Sequence, residues 1–273
     1  MLLQTAFDAA RIAVTIGFLS YASWSDYKTR EVSNRVWAVY APIGLALSLA
    51  ELFLYDSSRL WLFGVSVGIT VAVAFVLFYS GGFGGADSKA LMCIAFTLPF
   101  FPASILSPVL PNGLSPLSQT LFPITILSNA VLVAAVSVIY LFVRNLLSKV
   151  ATGKPLFEGS LSKESVGKKI LVLLTGQKFS IETLKAKWHI YPLEDVTPAE
   201  GEDEIVRKLA VVPKDEGRDE VVTRLSKAVE KGKIDSHVWA TPGLPMLIFV
   251  TVGLLIALSL GDIVWILVIH LFG

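Results

Sequence analysis

Two acidic residues in the apolar parts of the chain could together carry out proton-transfer chemistry. Asp26 follows an apolar segment in "SYASWSDYKTR", and Asp87 follows four glycines in "GGFGGADSK". Acids in membrane segments are costly and often have a function. Two carboxyl groups that lie close together share one proton, because both cannot ionise cheaply. The ionised group can then deprotonate a water that attacks an amide carbonyl, while the protonated group donates to the carbonyl oxygen, and this hydrolysis requires no metal or cofactor.

The residues next to Asp87 could shape such a site. Glycine permits positive φ and has no side-chain bulk, so an extended peptide could approach the backbone at Gly84 and Gly85. A tight turn between two apolar segments would need the same glycines, and the residue types leave both alternatives open. Lys89 could lower a carboxyl pKa or bind an anionic lipid headgroup, and it could equally anchor a helix at the membrane interface.

Two other stretches could contribute to the same region. Ser33 and Asn34 follow Asp26 in the first loop, where they could bond to the site or cap the second segment. At the entry to the last apolar segment, prolines are ordinary near a helix start, and they could also form the wall of a substrate groove. The residues concerned are Pro242, Gly243 and Pro245.

The composition argues against several other kinds of site. Cys93 is the single cysteine, so an intrachain disulfide and a cysteine-cluster zinc site are excluded. The three histidines are dispersed without metal-ligand spacing, and Cys93 itself is expected to be a small buried residue. The formal net charge of +1 gives no reason to expect a nucleic-acid partner.

Apolar segments dominate the chain, of which 54% of residues are hydrophobic and 16% charged. A transmembrane helix needs about 20 mostly apolar residues. No secretory cleavage pattern follows the first segment, so it is expected to be retained as an anchor. We predict about six transmembrane helices, at 7–24, 36–55, 60–80, from 88 onward with interruptions at Pro99 and Pro102, 124–147 and 245–269.

The positions of Lys and Arg predict the orientation of these helices. Basic residues occur in the first and third loops and after the fifth segment, whereas the second loop has only Arg59 and 103–123 has no charge. The basic connections are therefore expected to be cytoplasmic, with both termini outside. This orientation places Asp26 and Asp87 at the same cytoplasmic membrane face. For the other acids of the apolar parts, ordinary interfacial explanations are expected: Asp8 paired with Arg11, Glu51, Asp56 and Asp262.

The charged residues concentrate in one block. Residues 149–240 contain 16 of the 23 Lys and Arg and 15 of the 22 acids. We therefore predict transmembrane helices one to five over 1–148, a small cytoplasmic α/β domain over 149–240, and the sixth helix over 241–273. Patterns within and near the block predict helices at 161–176, 203–212 and 219–232, strands at 187–196 and 237–245, and a short external helix near 114–121.

The arrangement of the two acids resembles the GxGD-type intramembrane aspartyl proteases, specifically the archaeal preflagellin peptidases, which are related to type IV prepilin peptidases. The resemblance implies that Asp26, followed by "YKTREVSN", and Asp87 in "GGADSKA" are catalytic. It covers the whole six-helix plan and the "TPGLPMLIF" entry at 241–249. The strict motif has glycine where this chain has Ala86, and the sequence lacks the four-cysteine module of many bacterial members, which favours the archaeal branch.

The resemblance also implies a substrate and a location. Members cleave class III signal peptides from preflagellins or type IV pilin-like precursors at the cytoplasmic face of the cell membrane. The precursor's apolar helix would lie in the membrane beside lipid, and its basic leader would stay in the cytoplasm. Acids of the soluble domain such as Glu158, Glu194 and Asp195 could contact that leader.

Two other classes of function use the same features. Acids near broken membrane helices can bind protons or cations in a transporter. Against a transporter, both acids are predicted at one interface rather than at the midplane, and no inverted repeat is evident. A non-catalytic membrane scaffold would leave the glycine-rich motif beside Asp87 unexplained.

Overall fold

The computed structural model describes residues 2–153, 155–198, 205–210, 217–243 and 245–272. The chain divides into two compact units. The first unit comprises Met1–Ala134 and Pro245–Gly273, and the second unit comprises Ala135–Leu244. Most described residues are helical, and short strands occur only in the described part of the second unit.

The first unit consists of helices. Most of its long helices are separated by short connections. A proline-rich segment with one short helix separates α4 from α6, and the second unit separates α6 from α10. The short helix predicted near 114–121 is confirmed as α5, and its external location stays a prediction. The helices are α1 (Leu2–Thr29), α2 (Asn34–Tyr55), α3 (Leu60–Tyr79), α4 (Gly85–Thr97), α5 (Pro116–Thr120), α6 (Phe122–Thr152, which continues into the second unit), α10 (Met246–Ser259) and α11 (Ile263–Phe272).

Three described helices are long and apolar enough to cross a membrane: α2, α3 with its preceding turn, and α6. A fourth candidate is the pair α10 and α11, if the pair counts as one broken span. The 13 residues of α4 extend only about 20 Å, less than a bilayer core of about 30 Å. The chain therefore has the helices of a membrane protein, and the number of six spans stays a prediction.

The last apolar segment is broken, which corrects the predicted continuous helix at 245–269. Helix α10 ends at Ser259, α11 begins at Ile263, and the two are bent by 64°. Gly261 lies between them with φ +95°, a conformation that favours glycine. Its Cα packs directly on the backbone of Gly113, and the Asp262 N–H donates to the Gly113 carbonyl at 2.9 Å.

Several acids with an expected interfacial explanation are buried in the first unit. Arg11 lies between two carboxylates, bonded to Asp8 and at 2.7 Å from Glu51, and all three side chains are buried. The expected pair of Asp8 with Arg11 is therefore confirmed, and Glu51 joins it from α2. Asp262 is 2% exposed and accepts a hydrogen bond from Ser115 Oγ at 2.7 Å. Buried charged groups are retained when they are paired or hydrogen-bonded, and the depth of these acids relative to a membrane stays a prediction.

The second unit contains short helices and two small antiparallel sheets. One sheet has the order β1-β5-β2, and the other pairs β3 with β4. Apart from the end of α6, its elements are α7 (Val166–Thr175), β1 (Gln177–Ser180), α8 (Ile181–Ala186), β2 (Tyr191–Pro192), β3 (Glu194–Pro198), β4 (Ile205–Leu209), α9 (Arg218–Glu230) and β5 (His237–Thr241).

Most predicted elements of this unit are confirmed. Helix α7 begins after Ser165, whose side chain accepts from the Lys168 N–H, and ends at Gly176 as predicted. The helix predicted at 219–232 is α9, and the predicted strands correspond to β2, β3 and β5. The helix predicted at 203–212 is wrong: its described residues contain β4, in which Arg207 lies opposite Val196 of β3.

Two of the acids that were expected to contact a basic leader form ion pairs with arginines inside the second unit. The Glu194 carboxylate is fully buried and accepts two hydrogen bonds from Arg207, at 2.8 and 3.0 Å. Asp195 is likewise buried and bonded to Arg224 at 2.8 Å. These two side chains are therefore unavailable to a leader peptide, which corrects that expectation. Glu158 is half-buried, and its role stays a prediction.

Candidate active site

Three elements of the first unit converge around the end of α1. Ser23, one turn before Asp26, donates to the Leu247 carbonyl at 3.0 Å and lies 2.7 Å from Thr251 Oγ1. Both partners belong to α10. Ala22 of α1 and Ala90 of α4 are fully buried in the same core as Leu247. The end of α1 is therefore fixed beside the first turns of α4 and α10.

The glycine-rich segment before α4 is a tight, anchored turn. Gly81 has φ +75°, and the Phe83 N–H donates to the Leu77 carbonyl at 3.0 Å. Phe83 is buried and packs with α3, α4 and Met246, the first residue of α10. Gly81, Gly82 and Gly84 remain exposed on either side of it. The phenylalanine thus fixes the position of the turn, while the glycines leave its backbone accessible.

Asp87 lies in the first turn of α4. Its Oδ2 accepts a hydrogen bond from the Gly84 N–H at 2.9 Å, so the carboxylate also caps the helix. A Cβ on Gly84 would approach this oxygen to 3.1 Å, whereas a Cβ on Gly85 would make only an ordinary contact of 3.7 Å with Phe78. Of the two glycines predicted to shape the site, Gly84 therefore has a steric requirement and Gly85 has none.

Asp26 lies in the last turn of α1 and is half-buried. Its carboxylate makes no hydrogen bond or ion pair within the described part of the chain. Arg30, which ends the helix with a left-handed φ of +58°, is the positive charge that acts on it. The Asp26 carboxylate is therefore in a position to bind a water molecule or a substrate.

Both carboxyl groups have pKa values raised above their ordinary range. Both lie outside the predicted spans, since the first ends at residue 24 and the fourth begins at residue 88. Burial raises the pKa of Asp87 to about 6; the Gly84 N–H opposes this rise, and the negative charge of Asp26 adds to it. Burial also raises the pKa of Asp26, and Arg30 opposes that rise. The pair therefore retains a proton more readily than two isolated carboxyl groups.

Lys89 connects α4 to the neighbouring helix. Its Nζ donates to Asn34 Oδ1 at 2.7 Å, which ties α4 to the start of α2. Ser33 caps α2 by accepting from the Arg35 N–H at 3.3 Å, which confirms the capping alternative for Ser33. An effect of Lys89 on the acids or on a lipid headgroup stays a prediction.

The remaining predicted site residues occupy different units. Ala86 is partly buried against the core of the first unit, and Pro245 immediately precedes α10. Pro242 and Gly243 belong to the second unit, where Gly243 has φ +69°. Their contribution to a substrate groove stays a prediction.

Some polar residues at the site carried no recognisable signal in the sequence. Single hydroxyl residues such as Ser23 and Thr251 are common in apolar helices, and the sequence does not show that these two bond to each other. Arg30 is one of three basic residues in the first loop, and nothing in the sequence distinguishes it as the charge that acts on Asp26. Among the described residues, no group of three or more His, Cys, Asp and Glu could hold a metal ion.

Comparisons with known proteins match most of the chain. The model of the type IV leader peptidase family matches residues 13–139, which include both acids, and the model described as archaeal peptidase A24 C-terminus type II matches residues 168–263. The preflagellin peptidase of Methanococcus voltae is 29% identical over 92% of this chain and 96% of its own length. The preflagellin peptidase of Methanocaldococcus jannaschii is 23% identical, over 96% and 98% respectively.

These matches confirm the resemblance inferred from the sequence. The two family models together include the segments that carry both acids, the glycine-rich turn and the entry to α10. The relatives extend over nearly the whole chain, so the similarity is not confined to one motif. The chain is therefore a protease, similar over most of its length to type IV leader peptidases and preflagellin peptidases.

Proposed function

We propose that the chain is an aspartyl endopeptidase that removes class III signal peptides from preflagellin or type IV pilin-like precursors. The observation that carries the proposal is the position of Asp26 and Asp87 at the end of α1 and the start of α4, which share one core, beside an accessible glycine backbone. The names of the relatives support preflagellin as the substrate. The proposed location is the cell membrane, with both termini outside and the site at the cytoplasmic face.

Hydrolysis by the pair proceeds with one proton shared between the carboxyl groups. The ionised group removes a proton from water as the water oxygen bonds to the scissile carbonyl carbon, and the protonated group donates its proton to the carbonyl oxygen. Collapse of this intermediate breaks the carbon–nitrogen bond, and the leaving nitrogen receives a proton from the pair. The products are the leader with a new carboxylate and the mature protein with a new amino terminus.

The surrounding residues would position the substrate. An extended peptide at the exposed turn of Gly81, Gly82 and Gly84 could pair with the backbone, which presents the scissile amide to Asp87. The apolar helix of the precursor would remain in the membrane, in contact with lipid and the first unit. No metal, cofactor or nucleic acid enters this proposal.

The test is cleavage of a purified precursor by the full chain in detergent. Asp26→Asn and Asp87→Asn are each expected to lower the rate at least about a hundredfold, because each removes one proton-transfer group. Asp219→Asn serves as the matched control, since that side chain is 91% exposed on the second unit, and it should cleave normally. Full activity in either site variant would refute the catalytic pair.

A transporter would use the same two acids differently. The transporter hypothesis predicts proton flux into vesicles that contain the native protein, whether or not a precursor is present. The similarity to type IV leader peptidases favours the peptidase, which predicts precursor cleavage without such flux.

A further inference from the structure

Helix α7 exposes apolar side chains on the side that faces away from the core of the second unit. Val172 and Leu173 are buried in that core. Val166 is 71% exposed, Ile170 44% and Leu171 46%. The outward face of a helix on a water-soluble domain is normally polar, so an apolar outward face indicates an apolar neighbour.

The position of α7 along α6 indicates what that neighbour is. Asn145 of α6 is buried, and its Nδ2 donates to the carbonyls of Leu173 and Gly176, at 2.9 and 2.8 Å. Helix α6 is apolar enough to cross a membrane, and Arg144 is the first charged residue along it. The end of α7 is thus tied to α6 where α6 leaves the apolar layer. Leu147 and Val150, on the opposite face of α6 from Asn145, are also exposed.

Basic residues accompany this apolar surface. Arg144 and Lys149 lie on α6, Lys169 on α7 and Lys178 on β1. This combination of apolar side chains with lysines and arginines is typical of helices that lie in the headgroup region of anionic membranes.

A cavity of about 300 Å³ lies beside the end of α6 and the strands β1 and β5. Its lining includes Arg144, Lys178 and His237 as potential donors to an anion. The Lys178 ammonium lies 6.0 Å from the centroid of the Trp239 ring and has no ion pair among the described residues. The one acid in the lining is Asp235, whose Oδ1 already accepts from the His237 N–H at 3.2 Å.

We infer that α7 is an interfacial helix of the second unit, with its outward apolar side chains among lipid chains and the phosphate of an anionic lipid in the adjacent cavity. The apolar face of α7, the basic residues and the cavity all lie near the end of α6. We therefore assign a single binding partner to all three, the anionic lipid leaflet. The inference uses none of the residues of the catalytic pair, so it stands or falls separately from the proposed activity.

The depth of α7 can be measured with spin labels on the full chain in nanodiscs. The lipid is phosphatidylcholine with about one third phosphatidylglycerol. In a Cys93→Ala background, a label at Ile170→Cys is compared with one at Thr223→Cys, an exposed position on α9. The ratio of oxygen to nickel-chelate accessibility is expected to be at least about threefold higher at position 170, because oxygen concentrates in lipid.

Two results of this measurement would overturn the interfacial placement. A ratio at position 170 equal to that at 223 would show that α7 faces water. Low accessibility to both reagents would show that protein, rather than lipid, covers the helix.

The cavity is tested by native mass spectrometry of lipid retained by the full chain. Lys178→Gln is expected to retain less than half of the phosphatidylglycerol that the native chain retains, while Lys208→Gln, an exposed lysine on β4, should match the native chain. Inorganic phosphate should not displace the lipid. Equal retention by Lys178→Gln, or complete displacement by millimolar phosphate, would overturn the lipid site.

Discussion

Asp26 and Asp87 differ in what their carboxylates contact. Asp87 caps α4 through the Gly84 N–H, so it has a structural role in addition to the proposed catalytic one. Asp26 has no hydrogen-bond partner among the described residues, so its burial at the end of α1 has no structural compensation. At this scale, Asp26 is the residue whose presence is best explained by a substrate or a bound water.

The proposed catalytic pair predicts a pH dependence of cleavage. The mechanism needs one proton on the pair, and burial raises the pKa of Asp87 to about 6. As pH rises through that value the shared proton is lost, and at low pH both groups are protonated. We expect kcat/KM to follow a bell whose alkaline side begins near pH 6, measured with the precursor between pH 4 and 9. An unchanged rate across the alkaline range would contradict the shared-proton mechanism, and Asp219→Asn should reproduce the native profile.

The sequence was sufficient to select the two acids but not their surroundings. Asp26 and Asp87 stand out because few acids occur in the apolar segments and both border them. The burial of Asp8 and Glu51 could not be predicted, since it depends on Arg11 reaching α2 across the fold. Lys89 likewise bonds to Asn34, which is 55 residues away.

The turn before α4 is the element on which the geometry of Asp87 depends. Gly81 provides the left-handed conformation, Phe83 fills the core, and Gly84 donates its N–H to the carboxylate. Four glycines in the sequence suggested one common role, whereas the structure gives them different ones. A Cβ is tolerated at Gly85 and crowded at Gly84.

These different roles predict different effects of alanine. Gly84→Ala is expected to lower kcat about tenfold or more, because its methyl group displaces the Asp87 carboxylate by a few tenths of an ångström. Gly85→Ala is the matched control and should cleave at nearly the native rate. Steady-state cleavage and thermal unfolding are measured together, so that a loss of fold is separated from a loss of geometry. Similar activity in the two variants would contradict the assigned role of Gly84.

The predicted secondary structure is wrong for two elements: one predicted helix is a strand, and one predicted continuous helix is broken. The stretch 203–212 has acids before an apolar run, as a helix often does, yet Ile205–Leu209 forms β4. Its β-branched residues suit a strand, and Arg207 reaches Glu194 only across the ladder. The last apolar segment is broken at Gly261, where a backbone contact with Gly113 outweighs the continuous hydrophobic pattern. In both cases a partner distant in the sequence determines the local structure.

At the scale of the whole molecule, the chain has two units with separate cores and separate buried ion pairs. The first unit contains the cluster around Arg11, and the second contains the pairs of Glu194 with Arg207 and Asp195 with Arg224. Hydropathy and charge predicted a polar block at 149–240. The cytoplasmic placement of that block, like the six-span plan, remains a prediction.

The buried pair in the second unit predicts a local effect on stability. Arg207→Met is expected to destabilise that unit by about 3–5 kcal/mol, because the Glu194 side chain is fully buried and would lose its partner. Burial already raises the pKa of Glu194 against the effect of Arg207. Amide exchange in the full chain should therefore accelerate in β3 and β4 and remain unchanged in α2 and α3.

A second ion pair provides the control for this experiment. Lys185 and Glu230 lie 3.4 Å apart with both side chains at least half exposed, so Lys185→Met should change stability by only about 0–1 kcal/mol. Restoration of part of the lost protection in a Glu194→Gln, Arg207→Met double variant would support the unpaired charge as the cause. Equal effects of Arg207→Met and Lys185→Met would contradict it.

The contact between Gly113 and Gly261 also has an evolutionary consequence. A side chain on Gly261 would overlap the backbone of Gly113, and one on Gly113 would lie 2.5 Å from the Leu260 carbonyl oxygen. Neither substitution can be compensated by changing the other residue, because the obstacle is main chain in both cases. Descendants that keep the bend must therefore inherit both glycines, and a lineage that loses one is released from selection on the other.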